Sequence, residues 1–290
     1  MARKRSGGKS LPWPVLGILF VFAFVIYFMD SYEERTAPAD VSGTAAVHFI
    51  DVGQGDSILI TTADGAMLID TGEAENAQTV IDYIRAQGVT RLDYAMATHP
   101  HSDHMGGMAK VIDALPIGEF LAPDVTHTTV SFERMLDALE ARGLGITTPA
   151  VGARFTLGGC VFTVLSPENP SENDLNNASL VLRMDYGGTS FLFTGDAESA
   201  AEKEMLASGL DLDCDVLKTG HHGSGTSSTK AFLAAVSPDI AVISCGAGNS
   251  YGHPHADAVS RLEAAGAAIL RTDWEGTIVL VTDGQTITRR

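Results

Sequence analysis

Thr98-His99-Pro100-His101-Ser102-Asp103-His104-Met105-Gly106-Gly107 places four metal-ligating side chains within six residues. An apolar run, Leu92 to Ala97, precedes it and a helical pattern follows, so the segment reads as a loop from a strand end to a helix start. Imidazole and carboxylate suit Zn, Mn or Fe. On such a loop His99 and His101 can face one ion while Asp103 and His104 face a second. Pro100 stiffens the loop, and Gly106-Gly107 permits close backbone approach where the helix begins. The bland alternative is a polar surface loop rich in histidine by accident. Three of the chain's nine histidines in this one segment, with an aspartate among them, argue against it.

A two-ion site needs a bridging carboxylate and further ligands from elsewhere in the chain. Thr194-Gly195-Asp196-Ala197-Glu198 ends an apolar strand and can supply the bridge through Asp196. Lys218-Thr219-Gly220-His221-His222-Gly223-Ser224 ends the next strand and can supply another imidazole. Each is weak alone, since Gly-Asp is a common turn and paired histidines are often exposed. Together at strand ends they strengthen one another.

Outward from these motifs, short apolar strands alternate with amphipathic helices. Strands are predicted near 46–51, 57–62, 66–70 and 92–97, with helices near 76–87, 106–114 and 131–142. The second half repeats the alternation, with strands near 154–157, 160–165, 179–185, 190–194, 214–218, 239–243, 268–271, 277–282 and 285–288, and helices near 198–208, 228–236 and 255–265. Ser57-Ile-Leu-Ile-Thr-Thr-Ala-Asp-Gly-Ala-Met-Leu-Ile-Asp-Thr-Gly and Ser179-Leu-Val-Leu-Arg-Met-Asp-Tyr-Gly-Gly-Thr-Ser-Phe-Leu-Phe-Thr-Gly-Asp both read as serine, strand, glycine turn, strand and terminal aspartate. Each half thus delivers an aspartate, Asp70 or Asp196, to a strand end. The pattern implies an α/β (α+β) domain of two mixed sheets packed face to face with helices outside.

The 290 residues are 45% hydrophobic and 19% charged, enough for one sizeable core. The net charge is −17, and Arg3, Lys4, Arg5 and Lys9 lie in the first ten residues, so the remainder carries −21. That excludes a generally basic nucleic-acid binder but leaves room for a nuclease with a local metal site. Residues 1–10 read as a basic cytoplasmic tail and residues 11–29, without a charge, as a single transmembrane anchor. Residues 30–44 read as a linker and 45–290 as a domain outside the cell membrane. A cleaved signal peptide is the competing reading, with Ala37-Pro38-Ala39 as its small-residue site. Cys160, Cys214 and Cys245 are too few and too widely spaced for a disulfide framework and read as small buried hydrophobes.

Asp51-Val-Gly-Gln-Gly-Asp56-Ser57 joins two strands through glycines that could bring Asp51 or Asp56 near the metals; a bulge with a turn-capping Asp56 is the alternative. Asn249-Ser-Tyr251-Gly-His253-Pro-His255 offers imidazole and phenol groups to a substrate or leaving group, with His253 the favoured residue. Glu198 fits either a helix-start carboxylate or a substrate-facing group. Met105 and Met108 read as core.

With HFIDVGQGDSILI, MLIDTG, THPHSDHMGG, FLFTGDAE, LKTGHHGS and NSYGHPH in this order, residues 46 to 282 resemble the metallo-β-lactamase-like domain of the ComEC competence and DNA-uptake family. The many membrane spans of that family are not seen here, so the chain looks like a single-span relative. The resemblance implies an αββα sandwich with two divalent ions, Zn or Mn, at one edge. It would place His99 and His101 on the first ion, Asp103, His104 and His222 on the second, and Asp196 between them. His221 would face substrate, although which of the paired histidines ligates stays open, and Asp70 would orient the ligand loop. Many relatives carry a further first-ion histidine where this chain has Asn176-Asn177-Ala178-Ser179; Asn177 or water then fills the position. His127, the only histidine in that interval, reads as solvated. Lys218, Ser224 and Tyr251 complete the residues expected behind the ligands or against substrate.

The implied chemistry is hydrolysis by a hydroxide held between two ions, with Asp103 and Asp196 orienting it and His221 or His253 serving the leaving group. The expected substrate is anionic, either single-stranded DNA or a small phosphodiester. A small envelope ester, lactone or thioester is the alternative, as is a non-catalytic metal-binding module.

Overall fold

The computed structural model describes residues 43–290; the anchor, tail and most of the linker expected from sequence lie outside them. Among the described residues no helix is long and apolar enough to cross a membrane. In chain order the first half contains strands β1 (Ala45–Phe49), β2 (Ile58–Thr61), β3 (Ala66–Ile69), β4 (Leu92–Met96), β5 (Ile117–Leu121) and β6 (Ile146–Thr147). Its helices are α1 (Ala77–Ala86), α2 (Ser102–Met105), α3 (Met108–Ala114) and α4 (Val130–Arg142). The second half contains β7 (Arg154–Leu157), β8 (Cys160–Ser166), β9 (Val181–Tyr186), β10 (Thr189–Phe193), β11 (Val216–Lys218), β12 (Ile240–Ile243) and β13 (Ala268–Arg271). Between them run α5 (Ser199–Ser208), α6 (Lys230–Val236) and α7 (Ala256–Ala264), and α8 (Thr272–Glu275), β14 (Ile278–Thr282) and β15 (Ile287–Arg289) close the chain.

The two sheets have orders β15-β14-β1-β2-β3-β4-β5-β6 and β13-β12-β11-β10-β9-β8-β7. In the first, β1, β2 and β3 pair antiparallel and β3 to β6 pair parallel. In the second, β8, β9 and β10 pair antiparallel and β10 to β13 pair parallel. The internal repeat read from sequence is therefore a repeat of topology, and it extends to the serines. Ser57 Oγ donates to the Asp70 carbonyl (3.2 Å), and Ser179 Oγ accepts from the Asp196 amide (3.1 Å). Parallel strands need helical crossovers, which is why the helices cluster after β3 and after β10.

Alternate residues of one strand feed different layers, as the pleat requires. Val47, Phe49, Ile58, Ile60 and Met67 meet Phe162, Leu182, Phe191 and Phe193 between the sheets. Leu59 and Leu68 point the other way, onto Val80, Ile84 and Val111 of the outer helices. Leu192, Leu217 and Ile243 do the same against Met205, Phe232 and Leu262. The result is a helix, sheet, sheet, helix sandwich. All three cysteines are buried and free. Four elements went unread from sequence: α2, β5, β6 and α8. The helix expected over 106–114 is α3, and α2 is a separate short helix inside the His-rich segment.

Candidate metal centre

The His-rich loop leaves the end of β4, and Asp70 at the end of β3 organises it. Asp70 has a left-handed backbone (φ 58), a conformation that short polar side chains tolerate better than most. Its Oδ1 accepts from the Thr98 amide (2.8 Å) and its Oδ2 from the Thr98 hydroxyl (2.7 Å) and His104 Nδ1 (2.8 Å). With its proton given to Asp70, the Thr98 oxygen accepts from His99 Nδ1 (3.1 Å). Both rings thus turn Nε2 toward the same cluster. The family resemblance implied an orienting role for Asp70, and these bonds join its carboxylate to the ligand loop.

Gly55 supplies the close approach that the glycine-rich β1–β2 connection suggested. At φ +126, a Cβ there would lie 2.1 Å from the Asp103 carbonyl. The neighbouring Asp56 amide donates to that carbonyl (3.1 Å), tying this connection to the metal loop.

On the other half, His221 and His222 follow β11 in one turn of 3-10 helix with left-handed backbones, φ 47 and φ 53. Such strain in two consecutive non-glycine residues is held by surrounding structure. His222 Nδ1 donates to the Ser244 carbonyl (3.0 Å), freeing Nε2 for the cluster. His221 Nδ1 pairs with Glu198 Oε1 (2.9 Å), which also accepts from Asn176 Nδ2 (3.1 Å) and Thr226 Oγ1 (3.0 Å). Glu198 is thus the support of His221, a role between the two considered from sequence.

These pieces meet at Asp196. Its Oδ1 lies 3.1 Å from His104 Nε2 and 3.5 Å from His222 Nε2, and its Oδ2 lies 3.8 Å from His99 Nε2 and 3.7 Å from His221 Nε2. His104 Nε2 and His222 Nε2 are 3.3 Å apart, as are His222 Nε2 and Asp103 Oδ2. His99 Nε2 and His101 Nδ1 are 3.0 Å apart. A tetrahedral ion with bonds of about 2.0–2.1 Å sets its ligand atoms about 3.3 Å apart, so the spacing fits a divalent metal. Asp196 Oδ1, although buried and close to His104, accepts no hydrogen bond, as befits an atom aimed at an ion.

Two groups place ligand atoms within 4.8 Å of one another: Asp56, His104, Asp196 and His222, and His99, His101 and Asp196. Asp56 replaces Asp103 in the first, but its oxygens reach only the Nδ1 atoms, 3.9 Å from His104 and 3.5 Å from His222. Lys218, fully buried, binds Asp56 Oδ2 at 2.7 Å and the Thr219 carbonyl at 2.9 Å. Asp56 and Lys218 therefore form an ion pair behind the imidazoles, and Asp103 shares the side that their Nε2 atoms face.

Burial pushes Asp196 toward protonation, but His104, His222 and His99 outweigh it and hold its pKa well below the ordinary carboxylate value. Burial opposes a charge on His104, yet Asp196, Asp70 and Asp103 raise its pKa well above 6.5. His222 is likewise raised to about 9 against burial, by Asp196, Asp103 and Asp56. Burial and His104 push His99 well down. The carboxylates thus favour positive charge at His104 and His222, and a cation bound there would take the place of protons.

A cleft of about 320 Å³ opens over Asp196 and is also lined by His101, Asp103, His221, His253 and Tyr251. His253 has a buried Nδ1 without a partner, and burial together with His222 and His221 lowers its pKa to about 4. Gln54, His127, Thr129 and Asn176 line the same cleft and were not expected there. His127, read as solvated, is half-buried at the rim with its ring 6.3 Å from that of His101.

Three expected residues stand elsewhere. Asp51 is exposed and accepts from the Gly53 amide (3.0 Å) in a turn. Asn177 Oδ1 accepts from the Glu198 and Ala201 amides (both 3.0 Å), satisfying the open N-terminus of α5. Asn176, one residue earlier, is the amide at the cleft, with its Oδ1 buried and unpartnered. Ser224 bonds Thr226 Oγ1 (2.9 Å) and shapes the turn after the paired histidines.

The family model for the Metallo-beta-lactamase superfamily matches residues 50–247, and the chain belongs to that superfamily. Among individual proteins it is similar to ComE operon protein 3 of Bacillus subtilis, at 33% identity over 92% of this chain and 39% of that one. It is also similar to competence protein ComA of Neisseria gonorrhoeae, at 35% identity over 92% of this chain and 35% of that one. The chain thus spans little more than a third of the length of these two relatives. The metallo-β-lactamase fold protein YhfI of Bacillus subtilis aligns with a TM-score of 0.56 at 13% identity, over 83% of this chain and 100% of that one, a likeness of fold.

Proposed function

We propose that the protein is a binuclear metal-dependent phosphodiesterase or nuclease. The observation that carries this is Asp196, whose two oxygens face different imidazole sets, His104 with His222 and His99 with His221, beneath an open cleft. His99, His101 and Asp196 would hold one ion, and Asp103, His104, His222 and Asp196 the other. Bound there, two divalent ions such as Zn or Mn would supply a nucleophile from water near neutral pH and positive charge for anionic oxygens.

The chain's own groups do the rest. His221 is held by Glu198 through Nδ1 and keeps Nε2 toward the cleft, placed to hand a proton to the departing oxygen as the phosphorus–oxygen bond breaks. His253, with its pKa lowered to about 4, is neutral at pH 7 and serves as a hydrogen-bond partner for substrate. The Asp56–Lys218 pair fixes the floor behind His104 and His222. A structural metal site would be closed, and the open cleft argues for turnover.

The residues after the first ten carry −21, so attraction for an anionic diester has to come from the metal centre. The resemblance to the competence and DNA-uptake family favours single-stranded DNA as substrate, and the acidic chain favours a small diester. We place the domain outside the cell membrane behind a helix over residues 11–29, on the uncharged run and the basic residues before it.

The test is hydrolysis of bis(p-nitrophenyl) phosphate and single-stranded DNA by the full chain with Zn or Mn. We expect cleavage that falls by roughly a hundredfold or more in His101→Ala and Asp196→Ala. Turnover of lactones or thioesters alone would replace the substrate class, and metal binding without any turnover would leave a binding module.

A further inference from the structure

Tyr251 is the large side chain at the cleft that the hydrolytic machinery leaves unused. It lines the cleft yet is 63% exposed. Its ring lies on that of His253, with centroids 5.6 Å apart and planes 20° from parallel. The His253 ring in turn meets His221 edge-on at 5.3 Å. Two ring contacts therefore lead from an exposed aromatic face to the imidazole beside Asp196.

An exposed side chain usually has a loosely held backbone, but this one is fixed on both sides. The Tyr251 amide donates to Asn249 Oδ1 (3.1 Å), which also accepts from the His253 amide (3.0 Å), while Asn249 Nδ2 donates to the carbonyls of Gly246 and His253. His255 Nδ1 accepts from the Gly225 amide (2.9 Å), so its Nε2–H donates to the Tyr251 carbonyl (3.2 Å). Gly246, at the root of the loop, donates to Gln54 Oε1 (3.2 Å). Gln54 Nε2 keeps no partner among the described residues and borders the same cleft. Fixing the backbone beneath an exposed aromatic, with its ring against His253, lowers the entropy lost when a flat ligand settles on it.

We propose that Tyr251 is a stacking platform for a nucleobase next to the phosphate bound over Asp196, with Gln54 as a donor to that nucleotide. The proposal rests on the phosphodiesterase reading and deepens it to a nucleotide-bearing substrate. The chemistry favours a nucleotide because one cleft offers a planar face beside ligands whose metal ions would attract a phosphate, and a nucleotide joins a planar base to a phosphate. A single platform fits one base, which suits sequence-tolerant recognition by stacking.

The test compares binding of thymidine monophosphate and of deoxyribose 5-phosphate to the full chain loaded with Mn. In Tyr251→Ala the nucleotide should weaken by about tenfold, the size of a lost base stack, with a several-fold smaller change for the base-free phosphate. Tyr251→Phe should restore nucleotide binding, since the ring and not the hydroxyl acts. Equal changes for both ligands, no change for either, or failure of Phe to rescue would overturn the platform. Cleavage of a thymidine dinucleotide by the unaltered chain is measured beside it. Its absence would refute the phosphodiesterase reading while the binding comparison still decides the role of Tyr251.

Discussion

Asp70→Asn isolates the orientation of the ligand histidines without disturbing the chain's path. Asparagine tolerates φ 58 as aspartate does, and the volume is nearly unchanged. Asp70 accepts three bonds: from the Thr98 amide, from the Thr98 hydroxyl and from His104 Nδ1. An amide oxygen can keep the bond from the Thr98 amide, but the NH2 then faces His104 Nδ1. That nitrogen must become an acceptor, which moves the ring proton to Nε2, the atom directed at Asp196 Oδ1 3.1 Å away. A protonated Nε2 cannot ligate. Loss of such an outer support typically weakens metal binding by about 10- to 100-fold, or about 1.4–2.7 kcal/mol. The assay is competition with a chromogenic chelator on the full chain, with circular dichroism confirming the fold. We expect the ion held by His104 and His222 to weaken by that factor, and the ion at His99 and His101 to weaken as well, because a Thr98 hydroxyl that faces an NH2 turns its proton toward His99 Nδ1. Affinities within twofold of the unaltered chain would refute the argument that Asp70 sets the His104 tautomer.

Further predictions concern stability. His48 is buried against Tyr83 and Thr61, and burial with the nearby Arg290 lowers its pKa from 6.5 to about 4. Between those values the unfolded chain binds a proton that the folded chain refuses, so stability is full above pH 6.5 and falls toward pH 4, by at most about 3 kcal/mol. Urea unfolding of His48→Gln should show a shallower fall than the unaltered chain over that window, and parallel curves would dismiss His48 as a contributor. Asn177→Ala removes the acceptor for two open amides of α5 and should cost about 1 kcal/mol, seen as a drop of roughly 2–4 °C in Tm. An unchanged Tm would show that water replaces the cap.

The site was legible because ligation demands particular side chains at particular strand ends. The Thr98–His104 segment, Asp196 and the paired histidines stand in the sequence as departures from apolar runs, and the structure brings them together. The fold was legible for a related reason: β2–β3 and β9–β10 share a serine, a turn and a terminal aspartate, and the sheets share the strand order that follows. β5 was missed because its five residues, Ile117-Gly118-Glu119-Phe120-Leu121, show no clean alternation, and only pairing with β4 makes them a strand. Asn176 and Asn177 could not be told apart, since the choice turns on which amide meets α5. Gln54 and His127 carried no local signal, because the cleft that they line is assembled from distant loops.

Metal content of the full chain, measured by elemental analysis after equilibration with Zn or Mn and removal of loosely bound ions, tests the central claim most directly. The account predicts two ions per chain, with loss of at least one in Asp196→Ala because both sets share that carboxylate. A single ion per chain, unaffected by Asp196→Ala, would contradict it.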